Sequence, residues 1–176
     1  MAAASHSSQR AYRSAANVIF WAIGFALAAA NPGAASDAKS GADLSGTESC
    51  VSSAVEAQRP PGDCLADLHA PCLAFPPNSK ALATLCFVNT RKSWDLRITE
   101  RLDALAKTAE PKVASIANIE SRYDLLSNLL QCDRLDELSA LYQAAEEDRL
   151  LQKKRCEAAA AGLTYIRLLV RSENLK

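Results

Sequence analysis

No glycine or proline interrupts the chain between Lys112 and Ala161, yet that run contains Cys132 and Cys156. Without helix breakers, and with apolar residues recurring at spacings of three and four, the run reads as helix. Twenty-four residues of unbroken helix would hold the two cysteines about 36 Å apart, far beyond the roughly 7 Å between Cα atoms that a disulfide tolerates. A bond between them requires the chain to reverse, and the most polar place to do so is Gln143-Ala144-Ala145-Glu146-Glu147-Asp148. Failing that, one of the pair bonds elsewhere or to another molecule.

Apolar periodicity extends the helical reading. Trp94, Ile98, Leu102 and Leu105 form one stripe. Pro111 suits a first helical turn, and Val113, Ile116, Ile119, Tyr123, Leu126 and Leu130 follow on one face. Leu135, Leu138, Leu141, Tyr142 and Ala145 continue the pattern, as do Leu163, Ile166, Leu169 and Val170 after Gly162. Strand signals are almost absent. The fold class expected is all-α, a disulfide-stapled antiparallel helical bundle whose stripes make one core.

The other cysteines lie in a denser zone, 47–89, cut by Arg59-Pro60-Pro61-Gly62 and Phe75-Pro76-Pro77-Asn78. Its pieces, Thr47 to Gln58, Asp63 to Ala70 and Ser79 to Val88, read as short helices with Asp63 and Ser79 as N-caps. Helices this short are marginal alone, so cross-links have a clear purpose. Cys64 and Cys72 would stand about 12 Å apart along one helix and should bond to other elements. Antiparallel packing of the first two helices favours Cys50 with Cys72 and Cys64 with Cys86. Cys50 with Cys64 and Cys72 with Cys86 is the alternative. Residues 47–176 are expected to form a single Cys-rich domain, with short helices over 47–89 and longer ones over 91–176.

Ahead of it, Arg10 and Arg13 precede an apolar stretch from Ala15 to Ala30 and then small residues, the order of a secretory signal peptide. The apolar run is about 16 residues against the roughly 20 that span a bilayer. Cleavage fits after Ala30 or, preferably, after Ala35, so 1–35 is read as the signal and 36–46, small and polar, as a flexible lead. Removing 35 residues from 176 leaves 141, with 18 Lys and Arg against 20 Asp and Glu, and His69 as the one histidine. Six cysteines in an exported chain of this size, Cys50, Cys64, Cys72, Cys86, Cys132 and Cys156, form a disulfide framework, and the compartment is periplasmic or extracellular. No integral membrane span is expected once the signal is gone.

Neither metal nor cofactor is expected, because no two cysteines stand at zinc-knuckle spacing and one histidine cannot complete a mixed site. His69 lies near Cys64 and Cys72 and could in principle serve a thiol nucleophile; the ordinary reading is an exposed or capping histidine beside Pro71. Carboxylate pairs such as Asp133 with Asp136 and Glu137 arise readily on helices, and no Gly-rich phosphate loop or nucleophile motif is present, so catalysis is not expected. Six acids between Gln131 and Asp148 are followed by Arg149, Lys153, Lys154 and Arg155. Four bases beside six acids make a poor phosphate surface, so nucleic acid is not an expected partner. Glu146, Glu147 and Asp148 are candidate partner-binding residues for a basic protein. The competing reading is a solvated helix face with Glu146 paired to Arg149 and Lys153 to Glu157.

Cys64-Leu65, Cys72, Cys86 and Trp94-Asp95-Leu96-Arg97-Ile98-Thr99-Glu100-Arg101-Leu102-Asp103-Ala104-Leu105 resemble the LprI-type N-terminal domain family of lysozyme inhibitors in the bacterial envelope. Cys86, Trp94, Asp95 and Leu105 match its pattern directly. Ile98 and Thr99 stand where Leu-Asn is usual, Leu102 replaces Tyr, and Asp124, Ser127 and Asn128 stand where the family often has Trp and Tyr-Arg before its fifth cysteine. The later pair of cysteines, with Thr164, Arg167 and Leu169 after Cys156, is similar to the family's C-terminal end, and the likeness runs from Cys50 to Leu175. It implies a periplasmic or surface protein and, as for some members of the family, inhibition of lysozyme, with no catalytic residues and with structural roles for Trp94, Asp95 and Leu105; the partner expected is lysozyme or another cell-wall-active protein. The alternative is an envelope structural or assembly factor with no inhibitory activity.

Overall fold

A computed structural model describes residues 41–173, and the expected signal peptide lies outside them. Five helices follow in order: α1 (Thr47–Glu56), α2 (Cys64–Leu73), α3 (Lys80–Thr108), α4 (Pro111–Leu141) and α5 (Glu146–Glu173). The fold is an all-α bundle stapled by three disulfides. The three long helices run up, down and up, with α5 packed against both α3 and α4, while α1 and α2 pack along the side of α3 and α5.

Proline sets the boundaries at the N-terminal side. Pro61 and Pro77 each open a single 3₁₀ turn that leads directly into α2 and α3, and Pro111 occupies the first turn of α4, where its missing N–H is no loss. Asp63 and Ser79 do precede helices, but neither side chain makes a capping hydrogen bond. The expected break between a short helix ending near Val88 and a longer one beginning at Arg91 does not exist. Nothing in Ser79–Thr108 can break a helix, and α3 runs through 29 residues.

Two helix ends were hidden in the sequence because each uses glutamine where glycine is usual. Gln58 and Gln143 have φ of 54° and 56°. After α4, the Gln143 N–H donates to Ala140 O and the Ala144 N–H to Ser139 O; after α1, Gln58 and Arg59 repeat this with Val55 O and Ala54 O. Both are Schellman closures, in which a left-handed residue turns the chain and satisfies the last carbonyls. The reversal between Cys132 and Cys156 therefore occurs at Tyr142–Ala145, and Glu146, Glu147 and Asp148 lie in the first turn of α5.

All six cysteines are bonded. Cys132 joins Cys156 across the α4–α5 hairpin with Cα atoms 5.6 Å apart. Cys50 joins Cys64 and Cys72 joins Cys86, at Cα distances of 6.0 and 5.5 Å. The favoured pairing of Cys50 with Cys72 and Cys64 with Cys86 is thus corrected. It assumed that α1 lies antiparallel along all of α2, whereas α1 also packs on the 3₁₀ turn that introduces α2, which brings Cys50 to Cys64. The far end of α2 is left to meet α3.

The lead is corrected where it is described. Ala42 and Leu44 are buried in the core. The Ala42 N–H donates to Thr90 Oγ1 at 2.8 Å, and Thr90 Oγ1 donates to Cys86 O. Gly41 (φ +75°) passes so close to Thr90 N and Asn89 that a Cβ there would collide with them. Small residues that cannot form a core of their own can still be admitted to one that exists.

Candidate functional site

The most elaborate side-chain cluster is in the core. Trp94, fully buried, donates from Nε1 to His69 Nε2 at 3.1 Å. Phe87 meets the His69 ring edge to face, and Tyr165 packs 5.7 Å from the Trp94 ring. α5 can approach this closely because Ala158, Ala161 and Gly162 line its inner side. A Cβ on Gly162 would strike Leu65 and crowd the Trp94 ring. His69 is therefore neither exposed nor a cap. Burial pushes its pKa down to about 4, with the Arg155 charge adding to the effect, so it is a neutral acceptor for the indole. Neighbouring Cys64 and Cys72 are locked in disulfides and have no thiolate to offer.

At the edge of this cluster the Tyr165 hydroxyl donates to Glu48 Oε1, which also pairs with Arg97 at 3.0 Å. Burial, then the carboxylate, pushes the Tyr165 phenol up to about 12. Of the other residues carrying the family resemblance, Leu105 is buried and Asp95 is held by Arg91 one helical turn back. Trp94 and Leu105 serve packing, and Asp95 serves a surface pair.

The charged candidates lie where α4 turns into α5. Glu147 and Asp148 both pair with Lys80 at the start of α3, at 2.9 and 2.7 Å, and raise the Lys80 pKa. Their place in the first turn of α5 also suits the positive end of its dipole. Neither expected pair along the helix forms. Arg149 bonds Asp136, Lys153 bonds Asp133 and Asp136, and Lys154 takes Glu157. Acids of α4 thus answer bases of α5 across the hairpin, which compensates much of the acidic stretch internally. Glu137 and Glu146 are exposed.

The apolar surface of α4 departs most from expectation. Ile116, Ile119, Tyr123, Leu126 and Leu130, expected in the core, are 46–70% exposed. Leu135, Leu138, Leu141 and Tyr142 are exposed as well, the last two at 77% and 84%. The side of α4 that packs inward carries Ala117, Ser121 and Cys132. Small residues let α4 approach α5 closely, so the bulky stripe is turned outward. A hollow between the two helices, lined by Val113, Ala117, Ser121 and Leu168, holds about 90 Å³, well below the 300–1,000 Å³ of ordinary ligand sites, whereas an open hollow of about 670 Å³ lies on α4 itself, lined by Ile119, Arg122, Tyr123, Leu125, Leu126 and Leu129. The site with most to offer is therefore a surface: the outer face of α4 and the end of its hairpin.

No family model, curated protein or solved structure matches this chain. Among the described residues, no helix is long and apolar enough to cross a membrane.

Proposed function

We propose that the protein is an exported binding protein of the bacterial envelope that captures a basic, cell-wall-active protein such as lysozyme without catalysing a reaction. The observation that carries this reading is the end of the α4–α5 hairpin, where exposed Leu138, Leu141 and Tyr142 adjoin exposed Glu137 and Glu146. Apolar anchors beside acidic groups suit a basic protein surface, the anchors supplying burial and the acids long-range steering. Three disulfides support an oxidising compartment, periplasmic or extracellular. The Cys86, Trp94, Asp95 and Leu105 resemblance supports the lysozyme-inhibitor class.

The test is a pull-down with lysozyme together with turbidity measurements on lysing cell walls. Binding and slowed lysis are expected; no binding and unchanged lysis at excess protein would overturn the inhibitor reading and favour an envelope assembly factor. Charge reversal at Glu146 should weaken capture and reduce its salt dependence. Glu147 and Asp148 should matter less, because Lys80 already occupies them.

A further inference from the structure

The five exposed apolar residues of α4 recur at intervals of three, four, three and four: Ile116, Ile119, Tyr123, Leu126 and Leu130. That alternation averages 3.5 residues, the period of a coiled-coil seam rather than of a straight helix packed on a globular core. α4 already has its intramolecular partners on the opposite side, where Ala117, Ser121 and Cys132 face inward. The molecule therefore presents a two-heptad seam on the outside of a helix that the disulfide to α5 holds in place.

We propose that this seam binds a second copy of the same chain, α4 against α4, in an antiparallel two-fold pair. Charge decides both the occupant and the direction. Extending the heptad by one position at the N-terminal end reaches Lys112, and at the C-terminal end Asp133 and then Glu137. A parallel pair stacks each residue on its own copy, setting Lys112 against Lys112, Asp133 against Asp133 and Glu137 against Glu137. The antiparallel pair in which Tyr123 meets Leu126 of the other copy gives a different set of layers. Ile119 then meets Leu130, each contact occurring twice, and Lys112 meets Glu137 at both ends. Lys112 and Glu137 are exposed and have no partner within the described part of their own chain. Asp133, which falls level with Ile116, is compensated by Lys153 of its own chain at 2.9 Å. The same stripe thus offers apolar layers in the middle and opposite charges at the two ends only to an inverted copy of itself.

Four apolar layers lie at the low end of specific interfaces, about 1,000 Å² in total, so the pair should form reversibly at roughly micromolar concentration. The apolar layers are separate from the Leu138–Tyr142 end proposed for capture, and Glu137 alone borders both surfaces.

Sedimentation equilibrium of the disulfide-bonded protein tests the proposal. A concentration-dependent monomer–dimer equilibrium is expected. Tyr123→Lys with Leu126→Lys, both at exposed positions, should abolish the dimer while leaving the helical circular dichroism intact. Lys112→Glu or Glu137→Lys alone should weaken association at least tenfold, and the two together should restore it, because the swap re-creates the end pairs. Exclusive monomer up to millimolar concentration, a dimer indifferent to Tyr123→Lys with Leu126→Lys, or a double swap that fails to restore association would each overturn it. So would a monomer whose α4 face instead binds phosphatidylglycerol vesicles.

Discussion

Two regions of this molecule are built on different principles. At one, α1 and α2 close over α3 and α5, and Val51, Phe87, Trp94, Ala158 and Tyr165 are all at most 4% exposed. At the other, the α4–α5 hairpin carries Leu138, Leu141 and Tyr142 into solvent and buries little besides its own Cys132. Each region has covalent links, but they do different work. Cys50–Cys64 and Cys72–Cys86 fix short helices onto a core that already has aromatic content. Cys132–Cys156, helped by the Asp136 and Asp133 ion pairs, holds two helices together where the core is nearly absent. A cross-link supplements packing in one region and largely replaces it in the other.

The largest effect should come from the packed region. Trp94→Ala removes the buried indole and leaves His69 without its donor, and is expected to lower unfolding stability by about 3–5 kcal/mol, measured by urea denaturation. The loss should be global, with amide exchange accelerated in α1 through α5. A loss confined to α3 would erase the proposed contrast.

Removing Cys132 and Cys156 together, as alanines, should cost about 3 kcal/mol through the loop they close. Here the damage should be local. Hydrogen exchange should quicken over residues 132–156 and remain slow around Trp94 and Phe87. Uniform acceleration would mean that the hairpin and the core unfold as one unit.

The smallest effect concerns His69. Its pKa lies near 4 in the folded chain against the ordinary 6.5 of an unfolded one. Between those values the unfolded chain binds more protons, so the stability His69 contributes is complete above about pH 6.5 and is lost as pH falls toward 4. At pH 5 the loss is about 2 kcal/mol. Urea midpoints of the native chain and of His69→Gln, whose amide oxygen can still accept from Trp94, should diverge at neutral pH and converge in acid. Parallel pH profiles would remove His69 from the account.

The same contrast governs how much could be read from sequence. Trp94, Ile98 and Leu105 were recognisable as core because their period of 3.6 coincides with large side chains on the packed face. On α4 the two signals separate. The bulky stripe from Ile116 to Leu130 marks the outside, and Ala117 and Ser121 mark the inside, so periodicity located the faces of the helix but size assigned them the wrong way round. Helix ends at Gln58 and Gln143 gave no warning, since glutamine rarely adopts a left-handed conformation. The hairpin was still foreseeable from Cys132 and Cys156, because covalent geometry requires a reversal whatever the turn residues are. The acidic stretch was visible as composition, but its pairing with Lys80, Arg149 and Lys153 depends on helices meeting from distant parts of the chain. His69 shows the same limit: nothing near Pro71 announces the indole 25 residues away.

Each disulfide joins a cysteine to the next one in the sequence: first to second, third to fourth, fifth to sixth. The three covalent rings are strung along the chain like beads, without overlap. In a polypeptide emerging N-terminus first from a ribosome or a translocation pore, the second cysteine of each pair would meet its partner already exposed. Joining thiols in order of arrival would give the native set without reshuffling.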